Sequence, residues 1–166
     1  KMATTVNILK PSQALMSKNT LGNTFQVGQY SNEWTTSNAT SEISSSNLFV
    51  ESRYILAIYP SSSQTVVIEL PLINLTTADN GRVLSANVKI KCNSSFVTNS
   101  KLFIDNGESF VSGFRQNFSS GQYSALQTNR VVVPQDTTLH TATIKIEVSN
   151  HNSSTIFITL PHLIHD

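Results

Sequence analysis

Charge, cysteine and long apolar runs are all scarce in this chain, and each shortage closes off a class of explanation. Charged residues fill 13% of the 166 positions, about half the roughly 25% usual in soluble domains. Ser, Thr and Asn must therefore carry the surface. Eleven basic residues against ten acidic leave a net charge of +1, without a Lys/Arg stripe that would neutralise phosphates or hold an anionic membrane. Nucleic acid is not an expected partner. Cys92 is the only cysteine, so an internal disulfide and a cysteine-based zinc site are both excluded. No run of about 18 apolar residues occurs, nor an N-terminal signal-peptide core, so neither membrane insertion nor an obvious export signal is expected. Lys1 ahead of Met2 points to a trimmed or partial N-terminus.

Catalytic signatures are missing too. There is no Gly-x-Ser-x-Gly elbow and no phosphate-cradling Gly loop. Asp105 and Glu108 flank a turn, where carboxylates are ordinarily solvated, rather than facing each other across a cleft as glycoside hydrolysis requires. His162 to Asp166 lacks metal-ligand spacing and reads as a solvated tail. A non-catalytic chain without cofactor or metal is expected. Five Asn-x-Ser/Thr sites begin at Asn38, Asn74, Asn93, Asn117 and Asn152; so Asn-, Ser- and Thr-rich a chain supplies about four by chance, and they carry no weight.

What the chain does have is alternation of period two, the mark of strands with one buried face. From Gln64 to Cys92 it runs twice. Val66, Ile68, Leu70 and Leu72 alternate with Thr65, Glu69 and Pro71, and Leu84, Ala86, Val88, Ile90 and Cys92 alternate with Ser85, Asn87, Lys89 and Lys91. Asn80-Gly81 supplies a turn, so the stretch reads as two strands joined by one loop, with Cys92 an inert core residue. Residues 53–59 are apolar on both faces, as in a strand buried on both sides or lining a cleft. Lys101–Asp105 turning at Asn106-Gly107 into Glu108–Phe114 reads as the clearest hairpin. Thr141–Val148 and Thr155–Leu160 read as a closing pair. Further short strands are expected at 3–10, 24–30, 39–45, 48–50 and 129–134, and one or two helical turns after Pro11. About ten short strands with little helix predict an all-β fold, a two-sheet antiparallel β-sandwich or jelly roll. The length suits a single domain over 1–166, with an N-terminal arm or first strand in 1–20 and an aromatic loop region in 21–46.

The order of pieces (Asn7-Ile8-Leu9, a loop ending at Trp34, Glu51 to Ile58, a strand from Gln64, then Arg82 to Lys89) resembles the jelly-roll carbohydrate-binding modules. That architecture also occurs in bacteriophage tail-fibre and other virion proteins. The ending from Ile156 to Leu163, with Phe157, Pro161 and Leu163 as aromatic-x-x-x-Pro-x-Leu, is similar to the phage versions in particular. The resemblance implies a virion structural protein (tail fibre, head fibre or capsid decoration) at the virion surface, partnered by other virion subunits. It further implies a homo-oligomer, often threefold, and attachment to a surface glycan. The alternative it implies is a carbohydrate-binding accessory module of a secreted glycan-degrading enzyme. Carbohydrate-active members carry an Asp-rich last strand that helps a structural calcium; Thr159 and Pro161 stand there instead, which argues against a metal site.

A sugar site needs flat aromatics to stack on the ring and planar polar groups for its hydroxyls. The candidates are Trp34, Tyr59, Phe114 and Tyr123 for stacking and Arg115, Gln116 and Gln122 for hydrogen bonds. Each has a competing reading, as core for the aromatics and as ordinary exposed alternation for the polar run.

Overall fold

The computed structural model describes residues 7–10, 13–15, 19–20, 23–24, 34–45, 54–70, 72–107 and 113–166. In chain order the strands are β1 (Asn19–Thr20), β2 (Asn23–Thr24), β3 (Thr35–Ser37), β4 (Ala39–Ser45), β5 (Tyr54–Pro60), β6 (Val66–Glu69) and β7 (Ile73–Asn74). After a 3-10 turn at Thr77–Asp79 come β8 (Val83–Cys92), β9 (Phe96–Ile104), β10 (Phe114–Phe118), β11 (Ser124–Gln127), β12 (Val131–Val132), β13 (Thr141–Ser149) and β14 (Ile156–His165). Two antiparallel sheets form a sandwich. The first runs β10-β9-β13-β6-β3, with β7 on β13; the second runs β11-β8-β14-β5-β4, with β12 on β8. β1 and β2 pair with each other.

Alternation builds this arrangement directly. Along β8 and β13 every second residue is buried, and the two apolar faces meet in a contiguous core that includes Leu84, Val88, Ile90, Ile144, Ile146, Leu56 and Phe96. Cys92 is wholly buried in it, as expected, and burial pushes its thiol pKa up. Residues 55–58 of β5 are buried on both faces, also as expected.

Two expectations about pairing are corrected. The strands of Gln64–Cys92 are not hairpin partners, because β6 belongs to the first sheet and β8 to the second. Their connection crosses between layers through β7 and the 3-10 turn, where Thr76 and Asp79 form a capping box. Gly81, at φ +79°, donates its N–H to Val133 O at 2.9 Å. That turn therefore meets the β12 segment instead of closing a hairpin. Likewise β13 and β14 lie in opposite sheets, joined by a turn in which Asn150, Asn152 and Ser153 take positive φ. Opposing faces of a sandwich carry the same alternation, so the pattern cannot distinguish a neighbour from a partner across the core. The hairpin of β9 and β10 is real, with Phe114 opposite Ser100, but β9 already begins at Phe96; expected strand residues 108–112 lie outside the described residues.

The closing strand is longer than expected. It continues past Pro161 to His165, and the register slips between Thr159, opposite Lys89, and His162, opposite Asn87. One extra residue there forms a bulge, where a missing N–H removes no ladder bond. It also inverts the parity, so Ile156 and Ile158 before it and Leu163 after it are all buried. The expected first strand at 3–10 is described only over 7–10, which runs against this segment without strand geometry: Ile8 N donates to Leu163 O at 2.7 Å, and Asn7 bonds Pro161 O and Leu163 N. The helical turn after Pro11 is seen as Ala14 N donating to Lys10 O at 2.9 Å. The strand expected at 39–45 is β4, and that expected at 129–134 shrinks to β12. Those expected at 24–30 and 48–50 fall almost entirely outside the described residues.

One edge of the sandwich is closed by hydrogen bonds instead of apolar contact. Ser100 Oγ donates to Gln127 O at 2.7 Å, Asn129 Oδ1 accepts from Leu102 N at 2.9 Å, and Gln116 Oε1 accepts from Gln127 N at 2.8 Å. Thr128 Oγ1 accepts from Ala86 N at 2.9 Å. Together they tie residues 127–129 to both sheets.

Ile146 is fully buried between the sheets, so Ile146→Ala is expected to lose about 2–5 kcal/mol in urea denaturation. Val132, which is 60% exposed, should change stability by no more than about 0.5 kcal/mol when replaced by Ala. Equal losses at the two sites would contradict this core.

Candidate functional site

The seven residues expected to bind sugar are scattered by the fold. Trp34 is 1% exposed and its Nε1 donates to Gln13 O at 3.1 Å. A ring so enclosed offers no face for stacking, so its assignment is corrected to core anchor. Gln116 faces the interior side of β10, with Oε1 on Gln127 N and Nε2 on Ala125 O; it is part of the polar seam, a second correction. Arg115 and Asn117 are exposed on the other face of β10, Phe114 is half-exposed at its start, and Gln122 is exposed in the β10–β11 turn beside Gly121. Tyr59 and Tyr123 alone share a surface. It is the outer face of the second sheet.

Register defines that face. A row crosses the sheet: Tyr123, just ahead of β11, adjoins Lys91 of β8, Lys91 is opposite Phe157 of β14, Phe157 opposite Ala57 of β5, and Ala57 opposite Glu42 of β4. Four strand spacings make the row about 19 Å long. The Lys91 ammonium lies 5.2 Å from the Tyr123 ring centre and 5.0 Å from that of Phe157. It is thus held between two aromatic rings. The next row is Ala125, Lys89 and Thr159, and the one after is Gln127, Asn87 and His162. At the β4 side, the Tyr59 hydroxyl donates to Glu42 Oε1, and this bond to a carboxylate raises the Tyr59 pKa. At the other end, a shallow cleft of about 160 Å³ opens between Ser85, Asn87, Gln127, Arg130 and Asp166, with Arg130 and Asp166 paired at its rim. Ile55, Ala57 and Thr159 on this face are buried. The accessible platform is therefore the β8–β11 side, bordered by the half-buried Phe157 and His162 of β14.

Sequence reasoning missed Phe157, Lys91, Lys89 and Asn87 as a group. The outward direction of the lysines and Asn87 was legible in the alternation of β8. That β11 and β14 flank β8, which brings Tyr123 and Phe157 to either side of Lys91, is a long-range pairing with no local signature.

The titratable groups cluster instead in the end loops. His140, 6% exposed, donates through Nδ1 to Asp105 at 2.5 Å and through Nε2 to Asp136 at 2.8 Å. Hydrogen bonds to Asp136 and Asp105 raise the His140 pKa, and the same bonds lower those of both carboxylates. Asp105, expected to be merely solvated, is thus one jaw of a clamp. His165 Nε2 lies 2.6 Å from Asp79, whose pKa burial pushes up but the bonds from Thr76 and His165 bring down. The 162–166 segment is consequently no solvated tail: His165 is held by Asp79, and Asp166 N donates to Val83 O at 2.7 Å. His140 thus bridges two carboxylates and His165 holds one, and among the described residues no group of three or more His, Cys, Asp or Glu is arranged to hold a metal.

No family model and no curated protein matches the sequence. Solved structures match its fold. The enzymatically active domain of bacteriophage CBA120 tailspike protein 4 aligns with 95% of this chain at TM-score 0.61 and 13% identity, this chain spanning 21% of that one. A Stig cyclase from Fischerella sp. TAU, in complex with an indole compound, aligns over 98% of both chains at TM-score 0.60 and 9% identity. A CBM22 xylan-binding domain from Paenibacillus barcinonensis aligns over 81% of this chain and 92% of its own, at TM-score 0.55 and 13% identity. The fold is the jelly roll of carbohydrate-binding modules, and the same fold also supports an enzyme.

The His140 clamp has a definite pH signature. A raised histidine pKa contributes stability fully below the unfolded value of about 6.5, and loses it as pH rises through the folded value. The lowered Asp105 and Asp136 contribute above about 3.9 and lose it as pH falls through their folded values. Tm should thus be highest between about pH 4 and 6.5, and His140→Asn should flatten the alkaline decline. Parallel Tm–pH curves for the two proteins would remove the clamp from the account.

Proposed function

We propose that this chain is a non-catalytic, glycan-recognising jelly roll serving as a structural and attachment module of a bacteriophage virion. The observation that carries the glycan reading is the row of Tyr123, Lys91 and Phe157 on the outer face of the second sheet: two half-buried aromatic rings on either side of an ammonium, continued by the amides of Asn87 and Gln127. Flat rings flanked by planar polar groups suit the faces and hydroxyls of a pyranose chain. The non-catalytic reading is supported by how the described carboxylates other than Glu147, whose pKa burial raises, are used. Asp105 and Asp136 hold His140, Asp79 holds His165, Glu42 holds Tyr59, Glu69 pairs with Lys145 and Asp166 with Arg130.

The virion role is supported by the likeness to the tailspike domain, by the phage-like closing strand and by the neutral polar surface. In that role the chain packs on other virion subunits and on copies of itself, with exposed Phe114, Val132 and Leu139 available for such contacts. The second reading is an accessory module of a secreted glycan-degrading enzyme, favoured by alignments that span nearly the full length of carbohydrate-binding modules such as CBM61 and CBM22.

Affinity electrophoresis in polysaccharide-containing gels should show retardation, and Tyr123→Ala and Phe157→Ala should each weaken binding roughly tenfold at unchanged Tm. Light scattering on the purified protein separates the two roles. A stable oligomer, threefold on the first reading, contrasts with a strict monomer on the second. Turnover of any bound glycan would overturn the non-catalytic assignment.

A further inference from the structure

Resting on the glycan reading, we infer that the platform takes an acidic saccharide, whose anionic group is held by Lys89 and Lys91. Both lysines project from the outer face of β8, two residues and about 7 Å apart. Around them stand Tyr123 just ahead of β11, Ala125 and Gln127 from β11, Phe157, His162 and the buried Thr159 from β14, and Asn87 from β8 itself. None is a carboxylate. The described carboxylates nearest on this face are both engaged elsewhere: Glu42 on β4, three strands or about 14 Å away, bonds Tyr59, and Asp166 at the far end of the cleft bonds Arg130. On the outer face of the first sheet, by contrast, Lys145 has its acid, Glu69, at 3.4 Å.

A cation–π contact orients the Lys91 ammonium without neutralising it, so the charge is fixed in place and still able to accept an anion. A sugar ring stacked on Phe157 or Tyr123 would bring a ring carboxylate or sulfate beside that ammonium. A neutral chain in the same place would cover the two ammonium groups and strip water from them with hydroxyls as the only compensation, a net cost. The same two residues thus attract an acidic glycan and disfavour a neutral one. Scarcity sharpens the point: in a chain with 13% charged residues, two adjacent lysines with no acid beside them among the described residues give a local field that the net charge of +1 conceals.

The test is titration calorimetry of the full chain with three probes at matched length: an oligo-uronate, a sulfated oligosaccharide and a neutral oligosaccharide. The acidic probes are expected to bind, more weakly as NaCl is raised, and the arm that binds more tightly identifies the group as carboxylate or sulfate. Lys91→Gln and Lys89→Gln should each weaken that binding roughly tenfold or more while leaving Tm unchanged. A neutral probe that binds as tightly as either acidic one, with the lysine variants unaffected, would overturn this inference and leave glycan recognition standing. Binding to none of the three, together with no retardation in any polysaccharide gel, would overturn both.

Discussion

Apolar side chains at every second position of β8 and β13 must find a second apolar surface, and within a single sheet there is none, because both strands turn the same kind of face inward. The sandwich is the solution. Leu84, Val88 and Ile90 on one layer meet Ile144 and Ile146 on the other, and burial on the order of 1.5–3 kcal/mol per large side chain is what fixes the two layers together. Everything with chemical interest is set by what this leaves outside. The polar positions of β8, compelled outward by the inward set, become the floor of the platform. The end loops, left with unpaired backbone, are held by side-chain bonds such as Thr76 to Asp79 and His140 to Asp105.

That dependence explains how much the sequence discloses. The period-two pattern gives strand identity, the inward face and the fold class, because those follow from neighbours two residues apart. Sheet membership follows from which connection crosses the core. β6 and β8 look like partners along the chain and are separated by the whole hydrophobic layer. The closing strand was cut short at Pro161 for a related reason: the bulge between Thr159 and His162 moves the apolar set from even to odd positions, and a reader of alternation sees the pattern end. Trp34 misleads differently: its neighbours in sequence are polar, yet the fold buries it in the hydrophobic core.

The candidate site follows the same logic. Tyr123 was legible as an aromatic near a turn and Lys91 as an outward strand residue, each unremarkable alone. Their meaning comes from Phe157 on the third strand, which arrives opposite Lys91 only because β14 closes the second sheet beside β8. Gln116 was selected for its planar amide, and a planar amide is equally what a cross-sheet bond requires. The likeness to carbohydrate-binding modules and to a cyclase on one fold makes the distinction concrete: the layers are shared, and the surface side chains decide the chemistry.

The polar seam at residues 127–129 gives this surface an unusual mechanical setting. Apolar layers can slide a little without losing much, whereas the bonds from Ser100, Gln116 and Leu102 are directional and lock β11 to the first sheet at one position. They act as dowels. Gln127 rides on that locked strand and Tyr123 stands just ahead of it, so the spacing of the platform is gauged by residues on the opposite layer, and a substitution at Ser100 or Gln116 would be felt on a surface that neither touches.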